Sequence, residues 1–465
     1  MTVPAERNAA AYGFAPEASG LENWKALQRA VDRGGTVTVD RPGVYALAAT
    51  VQLGSDTALN FGRGVVVRKT DEAGAFSHVF MNRGAVGRKT DRRITIDGLH
   101  LEVNGVFTRD FDQADRSDRV YGLQAHLAFS YVSDLQIRGF RCYDLEKQQF
   151  AVQVSTFEDL LIEDVIIHGE KDGLHLGPGK RFTIRDGVFR CFDDAIALNA
   201  HDYATSNPEL GWIEQGVIEN CRDLDAPETT GFFCRILAGG WLQWQPGLEV
   251  RHSDAVIHEG RLYRVHAKPD NQTWVSKTPP THTSGLEELD GIPWGWVQDK
   301  PVQTAGVRDV VFRDIFLEKA RPAFSIHFDN DRYSRSYYPG APVPVQQRLT
   351  FDTVHCLQPG ATPLLVCGTP VDVVTFRNCH LADNPFHFHA PADLDDYGTT
   401  HLLLQGCSFQ PAETPFTLLT NQMPGKTVVL RTSDSLVPDS AARFTVDAGP
   451  GSVTLASDLP GLEEG

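Results

Sequence analysis

The chain has 465 residues, a formal net charge of −17 at neutral pH, 41 glycines and 27 prolines. Its acidic balance excludes a binder of nucleic-acid backbone, which needs a basic surface, while leaving room for a local basic patch that holds an anion. No apolar run approaches the roughly 20 residues that span a bilayer, so no membrane partner is expected; the start MTVPAERNAAAYGFAP carries no secretory signal, which reads as cytoplasmic, or as secreted had a leader been removed.

In chain order, the first element is an amphipathic helix over residues 21–33, LENWKALQRAVDR, with Leu21, Trp24, Leu27 and Val31 at helical spacing. Short strands broken by turn residues follow it, beginning with GGTVTV and the Pro-Gly turn of RPGVY. Helix, glycine pair, strand and Pro-Gly turn together resemble the entry segment of pectate-lyase-like right-handed parallel β-helices, in which such a helix covers the open end of the stack.

From Ile94 a strand recurs: ITIDGLHL, LQIRGFRC, LIEDVIIH, FTIRDGVF, then VVFRDIFL, LTFDTVHC, VTFRNCHL and LLLQGCSF. Each copy breaks with a polar residue or glycine after an apolar pair, where a coil turns a corner. In that frame Asp164 and Asp186 are turn aspartates, and Cys142, Cys191, Cys221, Cys379 and Cys407 are small, reduced interior residues rather than a disulfide framework. No cysteine spacing marks a zinc site, and neither metal nor cofactor is expected.

The clearest repeat lies over 148–200, where Phe150-Ala151-Val152-Gln153-Val154, Asp172-Gly173-Leu174-His175-Leu176 and Asp194-Ala195-Ile196-Ala197-Leu198 follow one another at a constant spacing of 22 residues. A fixed period of this size marks a solenoid, and the apolar alternation within each copy marks a strand. The fold class is therefore all-β, a parallel β-helix of about ten coils. Inward pairs at Val152/Val154, Leu174/Leu176, Ile196/Leu198, Ile326/Phe328 and Phe386/Phe388 leave Gln153, His175, Ala197, His327 and His387 on one outward face.

Two stretches lose the rhythm. The charge run at 108–119 reads as a solvated loop. Residues 241–300 hold Trp241, Trp244, Trp274, Trp294 and Trp296 and read as an inserted small β module; the part from Asp254 resembles a module common in phage tail proteins and carbohydrate-active enzymes. Its tryptophans form a mini-core, or a flap that stacks on sugar. Four segments result: cap and entry strands to 60, a first β-helical part over 61–240, the insertion over 241–300, and a second β-helical part over 301–465.

Coils stack about 4.8 Å apart, so Asp172 is expected beside Asp194, with Asp193 adjacent. Crowded like charges raise at least one carboxyl pKa, which supplies the protonated acid and ionised base that glycoside hydrolysis needs. His201, His327 and Asp329 are further candidates in neighbouring loops.

Lys171-Asp172-Gly173, then Asp193-Asp194-Ala195-Ile196-Ala197-Leu198, then Arg235-Ile236 resemble the active-site order of polygalacturonase-type glycoside hydrolases, parallel β-helix enzymes that cleave with inversion. The resemblance implies Asp193 as proton donor, Asp172 and Asp194 as the pair that activates water, and Arg235 as a substrate-binding residue. The chain departs from it at Glu170, where relatives carry asparagine, at Leu237, where they carry a lysine, and in lacking a Gly-His-Gly segment that His201 would replace. Substrate contacts are expected from His175, His201, Arg235, Trp241, His327 and Asp329. The expected partner is a carbohydrate, cleaved by an inverting glycosidase; a lyase or intramolecular glycosyl transferase on the same fold, and a non-catalytic tailspike-like glycan binder, stay open, as does a homo-oligomer.

Overall fold

The alternating apolar pairs fold inward and thirty strands join in one sheet whose pairings are parallel. The computed structural model describes residues 6–462 except 108–119, 227, 269, 271, 332, 358–361, 390–393, 395 and 396; the charge run at 108–119 thus lies outside the described residues. Each coil supplies strands to three columns. In the first column Arg7–Asn8 pairs in parallel with Gly35–Val39, and from there twelve successive pairings link thirteen strands down to Ser452–Ala456. That exceeds the ten or so coils read from the regular motif, because the entry strands and the last C-terminal strands also join the stack.

A second column runs from Gly43–Leu47 through Val65–Lys69 to His100–Glu102 and beyond. The third runs from Val51–Leu53 through Phe80–Asn82, Leu174–Leu176, Ile196–Asn199 and Cys234–Leu237 to Phe324–His327 and further. Leu174 pairs with Ile196, as the 22-residue spacing requires. Corners between the first two columns are made by residues in the left-handed region, among them Asp164, Asp186, Asn220 and Asp314, and the bends leading into the first column by others such as Asp159 and Asp309, the residue types whose short side chains tolerate that conformation. Cys142, Cys191, Cys221, Cys379 and Cys407 are buried free thiols.

The helix spans Gly20–Val31 and starts in a capping box between Ser19 and Glu22. It buries Ala26, Leu27, Ala30 and Val31 in the same core as Val37 and Leu59 and so closes the N-terminal end; Trp24 donates its indole N–H to the Thr50 carbonyl at 2.9 Å.

Between Cys234–Leu237 and Val307–Leu317 the chain leaves the stack. Its strands there pair mostly antiparallel, in a five-stranded sheet and two two-stranded sheets separate from the large one. Val250, Val256, Tyr263, Val265, Ile292 and Trp294 form a core of their own. The unit folds back over the third column: Arg88 of an early coil lies 4.1 Å from the Trp296 ring, and Tyr121 stacks on His266 at 3.9 Å. Buried Arg264 donates to the carbonyls of Ala204 at 3.2 Å and Asn207 at 2.6 Å, which holds the loop after Asn199 against the coils.

Candidate active site

Three carboxylates converge where the coils enter the third column. The amide of Gly173 donates to the Asp194 carbonyl at 3.0 Å, which locks the two coils in register and stacks Asp172 on Asp194, with Asp193 beside them. One oxygen from each of the three lies within 4.8 Å of the others. The arrangement depends on Gly231 in the next coil: its φ is +62°, and a Cβ there would stand 2.6 Å from Asp194 Oδ1 and 2.8 Å from Asp193 Oδ1. The amide of Phe232 donates to Asp194 Oδ1 at 2.8 Å.

Such oxygen spacing could hold a divalent cation, but the protein's own cations supply positive charge there. Lys171 contacts Asp193 and approaches Asp172 Oδ1 at 3.3 Å. Arg235 pairs through Nε with Asp194 at 2.9 Å and through Nη2 with Asp202 at 3.5 Å. Burial pushes the Asp172 carboxyl up, but Lys171, His175 and Arg235 together outweigh it and hold it below the usual carboxylate range. Burial raises Asp194 to about 8, with Arg235 opposing and the Asp193 and Asp172 charges adding to the rise. At neutral pH the cluster therefore keeps a proton beside an ionised neighbour. Asp172 Oδ1 is buried and accepts no hydrogen bond, the Lys171 contact aside.

Exposure separates the floor of the site from the surface a ligand meets. The Asp193 side chain is 27% exposed, those of Asp172 and Asp194 about 1–2%. Lys171, Arg235 and His327 are half-buried around Asp193, and Phe232 brings His327 to the rim at 5.9 Å between ring centres. His327 also holds Asp329 at 3.3 Å, and burial's upward push on that carboxyl is outweighed by His327 and Arg235.

Several expected contacts are corrected. His175 lies in the floor and not on the surface, stacked on Phe150 at 4.2 Å with Nδ1 3.3 Å from Asp172 and Nε2 3.6 Å from Asp202. His201 and Trp241 are fully buried: Trp241 packs in the main core and donates to the Val302 carbonyl at 3.0 Å, and His201 lies against it at 6.2 Å. Neither presents a surface to sugar. The outward row through His175 continues into Ala197, Arg235, Ser325, Val366 and His387, so Ser325 and not His327 is in line with His175.

Other residues enter unannounced. Asp202 returns over the strand because Asn199 Nδ2 donates to it at 2.6 Å, a fold-back that strand periodicity does not show. Arg321 pairs with Asp223 at 3.0 Å and donates to the carbonyls of Asp193 at 2.6 Å and Thr230 at 2.8 Å, fixing the turns on either side of Gly231; at a sequence separation of 128 from Asp193 it had no local signal. Lys171 stood in the motif, and its chemistry was legible from three adjacent carboxylates.

No protein-family model and no curated protein matches the chain by sequence. By structure it is similar to the catalytic unit of a thermostable GH87 α-1,3-glucanase from Streptomyces thermodiastaticus, at 13% identity and a TM-score of 0.52, covering 100% of this chain and 72% of that one. It is also similar to a family 28 exopolygalacturonase of Yersinia enterocolitica, at 12% identity, a TM-score of 0.47, and 98% and 79% coverage. The Streptococcus pneumoniae surface adhesin PfbA aligns at 12% identity, a TM-score of 0.43, and 99% and 96% coverage. The likeness is one of fold, the parallel β-helix.

Proposed function

We propose that the protein is a glycoside hydrolase that cleaves a poly- or oligosaccharide with Asp172, Asp193 and Asp194. The observation that carries this reading is the convergence of the three carboxylates, one oxygen of each within 4.8 Å of the others, where burial raises Asp194 to about 8 while Lys171, His175 and Arg235 hold Asp172 low. Acid/base hydrolysis needs that pair of states at one pH.

In the reaction, the exposed Asp193 reaches the glycosidic oxygen, which takes a proton as its bond to the anomeric carbon breaks. A water gives its oxygen to that carbon and its proton to Asp172, whose Oδ1 accepts no hydrogen bond and lies 3.3 Å from Lys171 Nζ. The resemblance places Asp194 with Asp172 on the water; the electrostatics favour Asp194 as the store of the proton that Asp193 delivers. Arg235 and His175 keep the carboxylates oriented, and Arg235, His327 and Asp329 line the way in. A lyase is disfavoured, since it needs a neutral basic side chain and the surrounding carboxylates raise both Lys171 and Arg235 after burial has opposed them.

The resemblance implies inversion, although the oxygens lie closer than the about 6.5–9.5 Å between carboxyls of two-carboxylate inverting sites. Proton NMR of the first anomer released should show the inverted configuration; a retained one assigns a carboxylate as nucleophile instead. The function itself is tested by a screen of glycan oligosaccharides with product detection. Asp193→Asn should lose activity on natural linkages and keep most of it on an activated aryl glycoside, which needs no protonation. Full activity of all three Asp→Asn variants on a confirmed substrate would remove the trio from the mechanism.

A further inference from the structure

We infer that the sugar held against the trio is uncharged, a neutral hexose or an N-acetylated hexosamine, and not a uronate. This rests on the hydrolase reading and deepens it. A uronate carboxylate needs a cation that no protein carboxylate already faces. The described cations beside the trio each face protein carboxylates: Lys171 faces Asp172 and Asp193, and Arg235 faces Asp194 and Asp202. Arg321 spends its donors on Asp223 and two carbonyls, and Arg335 pairs with Asp254.

Carboxylates outnumber those cations. Asp172, Asp193 and Asp194 share the mouth with Asp202 and with Asp329, which faces His327. A further carboxylate would meet like charge beside the half-buried Asp193, where repulsion is less screened than in bulk water. The next outward position after Arg235 on its strand is Leu237, paired in register with His327 and fully buried, so the strand adds no further cation there. Hydroxyls and N-acetyl groups suit what is left, the accessible carboxylate of Asp193 as an acceptor and the half-buried side chains around it.

The test sets neutral glycans, soluble α-1,3-glucan oligosaccharides, starch, dextran and galactan, against polygalacturonate, alginate and carboxyl-reduced polygalacturonate. Reducing-end release and affinity electrophoresis are read on the full chain. The expected result is release from at least one uncharged glycan and at least a 100-fold lower rate on each uronan. Cleavage of a uronan whose carboxyl-reduced form is inert would overturn the inference and leave hydrolysis standing. Retention of neutral glycan without cleavage would support the inference and overturn hydrolysis. Neither cleavage nor retention of any neutral glycan would overturn both.

Discussion

Aspartates at the corners of the coils and aspartates stacked at the mouth of the third column repeat with the same period, yet they do opposite things. Asp164 sits in the left-handed region with its side chain 62% exposed and pairs with Arg141 at 2.7 Å. Asp186, also left-handed, accepts from Asn220 at 2.6 Å. Water screens these charges, so each contributes little beyond its turn. Asp172 and Asp194 repeat where the coil passes under the loop after Asn199 and under the Arg264 clamp, and there the same stacking compounds one buried charge with the next. Position on the coil, and not residue type, decides whether a repeated carboxylate serves the turn or the chemistry.

The sharpest way to break that comparison is to remove the charge on both sides. Asp172→Asn and Asp194→Asn should each lower kcat by about 10²- to 10⁴-fold, while Asp164→Asn and Asp186→Asn stay within twofold of wild type. A loss at Asp164 comparable to that at Asp172 would put the active site elsewhere.

A smaller effect is expected where backbone conformation and site meet. Gly231 shares the left-handed φ of the corner aspartates, but no side chain fits there, because a Cβ would stand 2.6 Å from Asp194 Oδ1. Gly231→Ala should cost about 1–2 kcal/mol of stability and about tenfold or more in kcat, with KM moving less. Equal activity in Gly231→Ala would show that the carboxylates tolerate displacement.

The columns were legible because hydrophobic alternation is local and the repeat multiplies it. The trio was legible because a spacing of 22 maps Asp172 onto Asp194 without further geometry. Asp202 and Arg321 were not, since one arrives through a loop that folds back and the other from a coil on the far side of the insertion. Four of the tryptophans form or pack against the mini-core read for them, and Trp241 alone misled, for a related reason. Trp241 resembles a sugar platform in composition, but the insertion docks through Arg88, Tyr121 and Arg264, contacts distant in sequence, and its root is thereby buried. Likewise His327 keeps the outward parity read for it, while the actual register shifts it two residues from the row of His175.

A pH titration sharpens the contrast between the buried carboxyls themselves. Asp194 is raised to about 8 by burial, so between about 4, its unfolded value, and 8 the folded chain holds a proton that the unfolded chain has lost. Stability from this group is therefore full below about pH 4 and declines as pH rises toward 8. Asp172 is lowered, so its contribution is present above about pH 4 and lost only in acid. From pH 5 to 8 the melting temperature of wild type should fall relative to Asp194→Asn, while Asp172→Asn shows no such relative slope. Parallel melting curves for wild type and Asp194→Asn across that window would mean that Asp194 is ionised throughout. The same group should set the alkaline limb of the rate profile near pH 8, and Asp194→Asn should remove it.

The smallest expected effect belongs to the corner aspartates. Asp164 holds φ +52°, a conformation that costs an ordinary side chain about 1–2 kcal/mol and that aspartate relieves in part by bonding locally. Asp164→Ala loses that relief and the surface pair with Arg141, so it should destabilise the coil by about 1 kcal/mol. Asp164→Gly, free of the steric cost, should remain within about 0.5 kcal/mol of wild type. Both should keep wild-type kcat, because nothing at that corner reaches the third column. Urea unfolding followed by circular dichroism reads the difference. If alanine and glycine prove equally costly, the Arg141 pair, and not the backbone, is what the corner aspartate supplies, and the division drawn here between turn and charge fails at Asp164.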